Sequence, residues 1–459
     1  MAGGALPGFR DFYPDEFAHR AHIFRAWREV ARRFAFVEYD GPPLEPLDLY
    51  TKKSGEEIVG QLYNFEDKGG RQVALRPEMT PTFARMVAER ANALRKPVRW
   101  FSIPQLFRYE RAQRGRLREH FQLNVDIVGE ASELADAELL AAAVGIMQEL
   151  GLTAEDVRAR VSDRRLLNGL LTAVGVTKPE GLAAAYGVLD KTGRQPDAVA
   201  REKLEAAGLA PAAVDGVMAM SQRDAYDRLR DTHRSNPAVS EAVNRFEAYL
   251  GHAAALGIGA WIDVDLSIVR GLAYYTGTVF ELFDAKGEFR AICGGGRYDN
   301  LLNDLGGVDL PALGFGMGDV VLGELLKDRG LMPAATTAPE FYVVAGPEAA
   351  VGRVLGVVAG LRSLGAAVDY PISADKLATQ RTNSQLQTAQ KSGADFGVIV
   401  RGTGTAEVRL LKADWSGNVP LDIDALASGD IQLAERALRE FRRVANDKLL
   451  SHPSRQAQS

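Results

Sequence analysis

Leu75-Arg76-Pro77-Glu78-Met79-Thr80 with Phe107-Arg108-Tyr109-Glu110-Arg111, and far downstream Ile268-Val269-Arg270-Gly271-Leu272-Ala273-Tyr274-Tyr275, each set an arginine beside residues able to hold an amine or an imidazole. Guanidinium groups stay charged and match phosphate oxygens at two points. Carboxylates, amides and phenols hold cations and polar rings. An anion site next to a cation site suits an enzyme that takes an amino acid and a nucleoside triphosphate together, because an in-line attack on phosphorus needs donors where negative charge accumulates.

The residues that surround these arginines extend the pattern. From Arg108 to Arg118 the chain carries five arginines against one glutamate. Arg108 lies on a strand pattern that enters this turn and returns through Phe121-Val128, so a long hairpin presents guanidinium groups above a polar sheet face. On the returning strand Leu123, Val125 and Ile127 alternate with Gln122, Asn124 and Asp126, which puts the polar side chains on one face. Glu78, Gln122 and Asp126 form a carboxylate pair with an amide, fit for an ammonium and a second polar group, and Tyr274, Tyr275 and Tyr298 supply ring walls and hydroxyls. Plainer roles stand beside these: a solvated charged loop, a helix cap at Glu78 near Thr80, tyrosines at core edges. Gly294-Gly295-Gly296-Arg297-Tyr298-Asp299 permits close backbone approach to a ligand, or is a strained turn. Gly314-Phe315-Gly316-Met317-Gly318 does not match the dinucleotide-binding pattern; its small residues flank a flat adenine ring or let a helix sit closely on a sheet.

These residues need elements to position them. Asp15 caps a helix running to about Phe34, with Phe24, Trp27, Val30, Ala31 and Phe34 at helical spacing. Short strand patterns follow at 36–39, 71–75, 98–103 and 121–128. Glu133 to Leu150 reads as an amphipathic helix stopped by Gly151. Residues 164–256 are helical and inserted between two halves of the site-bearing domain, 1–163 and 257–326, whose strand patterns return at 260–266 and 278–283. Residues 327–339 read as a linker. Beyond it, strands at 340–345, 366–370 and 395–400 alternate with helices, which predicts a small, mainly parallel sheet in a separate domain over 340–425. A C-terminal helix over 426–450 and a disordered tail over 451–459 complete the chain.

At 459 residues, 46% hydrophobic and 25% charged, the composition is that of an ordinary globular protein of more than one domain. A net charge of −5 disfavours nonspecific coating of nucleic acid and leaves room for a local basic surface. Cys293 is the only cysteine, so neither an intramolecular disulfide nor a thiolate zinc site is expected, and the six histidines show no metal-binding spacing. No apolar run is long enough to cross a bilayer, and the first residues lack the regions of a signal peptide; a cytoplasmic protein is expected.

Over almost its whole length the chain resembles the histidyl-tRNA synthetase family, within the class II aminoacyl-tRNA synthetases. The resemblance rests on Gly8-Phe9-Arg10-Asp11 with Pro14, Phe65-Glu66-Asp67, Leu75-Arg76-Pro77-Glu78, Phe107-Arg108-Tyr109-Glu110-Arg111, Arg270-Gly271-Leu272-Ala273-Tyr274-Tyr275 and Gly295-Gly296-Arg297-Tyr298-Asp299, in the family's order. It implies an α+β fold: an antiparallel sheet flanked by helices, an inserted helical domain, a C-terminal α/β anticodon-binding domain, and a homodimer built near Tyr39 to Pro46. It also implies that Glu78, Thr80, Gln122, Asp126, Tyr274 and Tyr275 hold L-histidine, with Tyr298 close by. Arg108 contacts the α-phosphate of ATP with Glu110 and Arg116 nearby, Arg270 sits on the opposite side, magnesium bridges the phosphates, and Gln113 touches the tRNA(His) acceptor end. No metal ligand is assigned to protein side chains.

Three departures from the family pattern stand out. Gly318-Asp319-Val320-Val321 lacks the arginine common in the third class II motif, which leaves the γ-phosphate to another group such as Arg114, Arg116 or Arg118. Ala273 stands where many members have aspartate, and Asp126 where many have glutamate. The competing reading is a non-catalytic, synthetase-like regulatory subunit of histidine biosynthesis. Such relatives generally lack the anticodon-binding domain and erode the paired arginines, both of which this chain keeps. A proline or threonine synthetase would not carry Arg270-Gly271-Leu272 with two tyrosines, and the threonine enzyme needs zinc ligands.

Overall fold

The structure, a computed structural model, describes residues 4–54, 56–109, 117–222, 224–270, 275–334, 338–402, 404–411 and 419–450. The expectations for Glu110, Gln113, Arg116, Tyr274 and the tail 451–459 lie outside the described residues, as do Ala273 and Arg114. The chain divides into two compact units, Met1–Ala334 and Ala335–Ser459.

In the first unit β1 (Val37–Glu38), β5 (Val98–Ser102), β7 (Glu119–Val128), β8 (Val157–Asp163), β9 (Ile262–Val264), β10 (Thr278–Asp284), β11 (Cys293–Arg297) and β12 (Ala312–Gly318) form one sheet in the order β1-β5-β7-β12-β11-β10-β8-β9, with β6 (Gln105–Phe107) pairing to β7. The pairs from β5 to β8 are antiparallel; β1 and β9 join the two edges in parallel. A small second sheet, β2 (Leu44–Pro46), β4 (Gln72–Leu75) and β3 (Asn64–Glu66), stands beside it. The triple glycine at 294–296 is therefore part of a central strand rather than a turn.

The alternation along β7 divides the sheet into two faces. Leu123, Val125 and Ile127 sink into a core shared with Phe280, Leu282, Leu313, Phe315 and Met317, closed by the helices Pro14–Arg33, Glu133–Glu149, Arg164–Ala173 and Pro237–Ala255. The helical section 164–256 thus shares one continuous apolar core with the sheet. On the opposite face a smaller cluster, with Phe83, Val87, Tyr275, Tyr298 and Leu302, closes one end under the helices Thr80–Arg90 and Leu301–Gly306. The middle of that face stays open.

The first helix starts at Pro14, not with Asp15 as its cap: Tyr13 is the cap residue and bonds no backbone N–H through its side chain. Proline suits the first helical position because its missing N–H has no partner there, and Asp15 and Glu16 in the first turn complement the helix dipole.

The second unit is a five-stranded sheet among the described residues, β13 (Phe341–Ala345), β14 (Val368–Asp369), β15 (Phe396–Val400), β16 (Thr405–Leu410) and β17 (Val419–Asp422), in the order β14-β13-β15-β16-β17. Only β14-β13-β15 is parallel; β16 and β17 are added antiparallel, so the sheet is mixed rather than mainly parallel. The helix Ile431–Leu450 is no appendage to it, since Ala434, Leu438, Phe441 and Ala445 complete the same core and the Phe441 ring lies 5.7 Å from Phe341 and 5.1 Å from Phe396.

One buried ion pair ties sheet to helix in the first unit. Arg297 on β11 donates to Asp136 of the helix Glu133–Glu149 at 2.8 Å, and to the Glu130 and Ser132 carbonyls at 3.1 Å each; both charged side chains are almost fully buried. Removing one partner leaves the other charge unpaired in the core, so Arg297→Met is expected to lower unfolding stability by about 3–5 kcal/mol in a denaturant titration. A loss below about 1 kcal/mol would show that the pair is dispensable.

Candidate functional site

The open middle of the sheet is a cavity of about 320 Å³, lined by Glu78, Thr80, Arg108, Gln122, Asp126, Arg270, Tyr275 and Tyr298 together with His120, Asn124 and Arg290. The described residues assigned to histidine and ATP all line this one space, whereas Arg118, offered for the γ-phosphate, is not among its lining residues.

Its floor depends on glycine. β11 and β12 are paired centrally, and β12 is also paired to β7, with Gly314 opposite Asp126 and Gly316 opposite Asn124. A Cβ on Gly316 would lie 2.8 Å from Gln122 Cδ, one on Gly314 would collide with the Asp126 carboxylate, and one on Gly294 would collide with the Arg270 guanidinium. The glycines of these strands therefore serve neither a turn nor a helix contact. Gly294, Gly314 and Gly316 leave room for the polar side chains of Arg270, Asp126 and Gln122, which offsets their conformational cost.

Arg108 is held at the start of the hairpin, its N–H donating to the Arg118 carbonyl at 2.9 Å and its Nε to the Pro77 carbonyl at 3.0 Å. Arg76 supports the same corner from below, donating to Asp40 at 2.6 Å and to the carbonyls of Gly41 and Gln105. Glu78 does not cap the following helix: Met79 occupies that position without a side-chain bond, Thr80 begins the helix, and both Glu78 and Thr80 turn to the cavity. Arg270 reaches in from the far side, its Nη1 donating to Glu281 at 2.7 Å and its guanidinium 5.7 Å from the Tyr275 ring centre, while its buried Nε has no hydrogen-bond partner among the described residues.

The deep end is acidic and aromatic. Asp126 is 4% exposed and accepts a short hydrogen bond from the Tyr298 hydroxyl; the rings of Tyr275 and Tyr298 meet edge to face at 6.5 Å. Burial pushes the Asp126 carboxyl up to about 7, only partly countered by Tyr298. At the other end burial, Arg108 and Arg10 pull His120 down to about 3, so its imidazole is neutral. The Cys293 thiol is pushed well up by burial, which removes it as a nucleophile.

Arg10 ties the entry segment Gly8-Phe9-Arg10-Asp11 to the sheet. It donates to Glu119 at 2.6 Å and to Asp319 at 2.8 Å, and Asp319 also accepts the Phe121 N–H at 2.9 Å. Asp319 is thus committed to holding the foot of β7, while Val320 and Val321 face the cavity and bring no charge. Arg118 stacks 4.5 Å from the Tyr109 ring.

Reading the sequence missed His120, Arg290 and Glu281 as site residues. His120 had a signal, since it shares the parity of Gln122 and Asp126 on β7; Arg290 and Glu281 had none.

A pocket that stores a proton on Asp126 has a pH signature. The folded carboxyl titrates near 7 and the unfolded one near about 4. Asp126 therefore binds a proton on folding, and its contribution to stability falls as pH rises through that window and is level above it. Asp126→Asn is expected to remove this decline, so that in thermal denaturation between about pH 5 and 8 the variant gains on the unaltered protein as pH rises. Curves that stay parallel would remove the buried proton.

A family model described as histidyl-tRNA synthetase matches residues 8–318. A histidine–tRNA ligase of Opitutus terrae is 46% identical over 398 residues, covering 86% of this chain and 90% of its own length. The chloroplastic/mitochondrial histidine–tRNA ligase of Arabidopsis thaliana is 42% identical over 371 residues, covering 81% and 75%. Among solved structures, histidyl-tRNA synthetase from Nostoc sp. PCC 7120 superposes with a TM-score of 0.79 at 23% identity, over 96% of this chain and 99% of that one. A Bacillus halodurans protein described as an ATP phosphoribosyltransferase regulatory subunit/histidyl-tRNA synthetase follows with a TM-score of 0.68 at 21% identity, over 83% and 97%. At these identities the two structures speak for the fold alone.

Proposed function

The chain belongs to the histidyl-tRNA synthetase family, and from that premise we propose how its cavity carries out the histidine–tRNA ligase reaction. The observation that carries the reading is that two arginines from distant segments, Arg108 and Arg270, share one cavity with a buried carboxylate, an amide and two tyrosines. L-Histidine sits with its imidazole toward Asp126, Tyr275 and Tyr298, all buried, and its ammonium toward Glu78, Thr80 and Gln122; Tyr274 completes the wall. An imidazolium arriving at Asp126 favours the ionised carboxylate and displaces its proton.

ATP lies along the other half, its α-phosphate between Arg108 and Arg270, with Glu110 and Arg116 nearby. A carboxylate oxygen of histidine attacks the α-phosphorus, the bond to the bridging oxygen breaks, and pyrophosphate leaves with the electron pair. A ribose hydroxyl at the 3′ end of tRNA(His) then attacks the acyl carbon of the adenylate and AMP departs. The unpartnered Nε of Arg270 supports its part, a donor aimed at charge that grows on the phosphate. Arg290, which lines the cavity as Val320 and Val321 do, supplies the cation for the pyrophosphate end that the third motif lacks. Magnesium would come with the ATP phosphates and supply charge neutralisation there; among the described residues no group of three His, Cys, Asp or Glu side chains is placed to hold a metal. Gln113 is proposed to meet the acceptor end and the second unit the anticodon.

A homodimer through 39–46 is supported by Val37 and Leu44, apolar side chains exposed at 61% and 38%. Action in the cytoplasm is part of the proposal; no described helix is long and apolar enough to cross a membrane.

Purified protein with magnesium is expected to catalyse ATP–pyrophosphate exchange that requires histidine among the twenty amino acids. No exchange would favour the regulatory-subunit reading. Arg270→Ala is expected to lower the exchange rate more than about tenfold, and an unchanged rate would remove it from the phosphate. Arg290→Ala is expected to raise KM for ATP by about tenfold while leaving KM for histidine in place; equal values for ATP would take Arg290 off the pyrophosphate.

A further inference from the structure

Arg270 is one of three described non-glycine residues with a left-handed backbone, at φ 53°. A side chain makes that conformation costly, and it persists only where surrounding contacts enforce it. One end of the segment is set by Asp265, which receives the Ser267 N–H at 2.9 Å and the Ser267 hydroxyl at 2.6 Å, while its carbonyl accepts the Ile268 N–H at 3.0 Å. The other end is set by Arg164, whose Nη2 donates to the Arg270 carbonyl at 2.9 Å.

Arg164 is itself placed from two sides. It opens the helix Arg164–Ala173 immediately after β8, with its N–H on the Gly277 carbonyl at 3.0 Å and with Asp163 capping the turn through the N–H groups of Arg165 and Leu166. Its guanidinium also lies 4.4 Å from the ring centre of Tyr186, on the helix Pro179–Leu189. Tyr186 donates its hydroxyl to Asn168 at 2.7 Å, which fixes the ring against the helix Arg164–Ala173. A continuous path therefore runs from a helix of the 164–256 section, through one guanidinium, to the main chain of the arginine on the phosphate side of the cavity.

We propose that Arg164 is a positioning residue for the activation step: it holds the Arg270 backbone in its left-handed turn and makes the aim of the Arg270 guanidinium depend on how Tyr186 is seated. Arg164 touches no substrate. It acts through Arg270, whose side chain is then steered between Glu281 and the space left by Gly294. The inference rests on the ligase reading, and its test is built to fail separately from it.

Histidine-dependent exchange is measured for the full chain and for Arg164→Ala, Arg164→Lys, Tyr186→Leu and the double variant Arg164→Ala/Tyr186→Leu. Arg164→Ala is expected to lower kcat about tenfold with KM for histidine within about twofold and an unchanged melting temperature. Arg164→Lys, which keeps one donor for the carbonyl, is expected to recover part of that loss. Tyr186→Leu is expected to cost about threefold, and the double variant to be no slower than Arg164→Ala alone, because the tyrosine acts only through the arginine. Unchanged kcat in Arg164→Ala, fully additive losses, or a kcat loss matched by a lowered melting temperature would each overturn the proposal. If the unaltered protein shows no exchange, the ligase reading fails, and the coupling is then read from the thermal shift produced by ATP: Arg164→Ala must reduce it as Arg270→Ala does, and an undiminished shift overturns the coupling.

Discussion

Everything in the cavity depends on side chains that are missing from β11 and β12. Glycine is a poor strand residue, entropically costly and without a side chain to pack, and a sheet with glycines at its centre needs support elsewhere. Here the support comes from the far face, where the helices Pro14–Arg33 and Glu133–Glu149 pack onto Leu313, Phe315 and Met317, and from Arg297, anchored to Asp136 through the sheet's own edge of the helix layer. A rigid back permits a bare front. The bare front is what lets Gln122, Asp126 and Arg270 lie flat against the backbone of neighbouring strands rather than stand off in solvent.

The second organising fact is how charge is distributed in that narrow space. Arg108 and Arg270 share a narrow space with Asp126 and with His120, whose protonation Arg108 opposes. The fold settles this by neutralising selectively: burial keeps a proton on Asp126 near neutral pH and keeps one off His120, while Glu281 balances Arg270. Arg108 and Arg270 keep their charge, on the part of the site proposed to meet phosphate. A cavity prepared in this way does not have to reorganise when an anion arrives on one side and a cation on the other.

Much of this was legible in the chain itself, and the reasons differ from residue to residue. The period-two alternation of β7 placed Gln122 and Asp126 on one face without any knowledge of partners, because strand geometry alone fixes it. The glycine runs were ambiguous, since the sequence carries no mark of which side chain will fill the vacated volume; only the register of β7, β11 and β12 reveals that it is the neighbour's. The extra strands β16 and β17 carried a weak signal, the alternation of Ala406, Val408 and Leu410, but the stronger β-α-β-α-β pattern ahead of them drew the expectation of a mainly parallel sheet. Asp15 looked like a cap because aspartate usually is one, and Pro14 took the first helical position instead. Arg290, Glu281 and Arg164 were invisible for a different reason: a lone charged residue in a connection, in mid-strand or at a helix start says nothing until a distant segment arrives beside it.

The Arg10 clasp has a bearing on how the molecule comes into being. Its two carboxylates belong to the foot of β7, 109 residues beyond Arg10, and to the start of a helix 309 residues beyond it. Such a junction cannot close while the chain is emerging; β7 waits without its anchor until nearly the whole first unit has been made, and the loop entropy of that wait is met all at once. The second unit begins 16 positions after Asp319, the clasp's last member, at Ala335. Synthesis therefore delivers the final stitch of the cavity just before it starts on the next unit, so that each half of the protein can finish folding on its own strand of time.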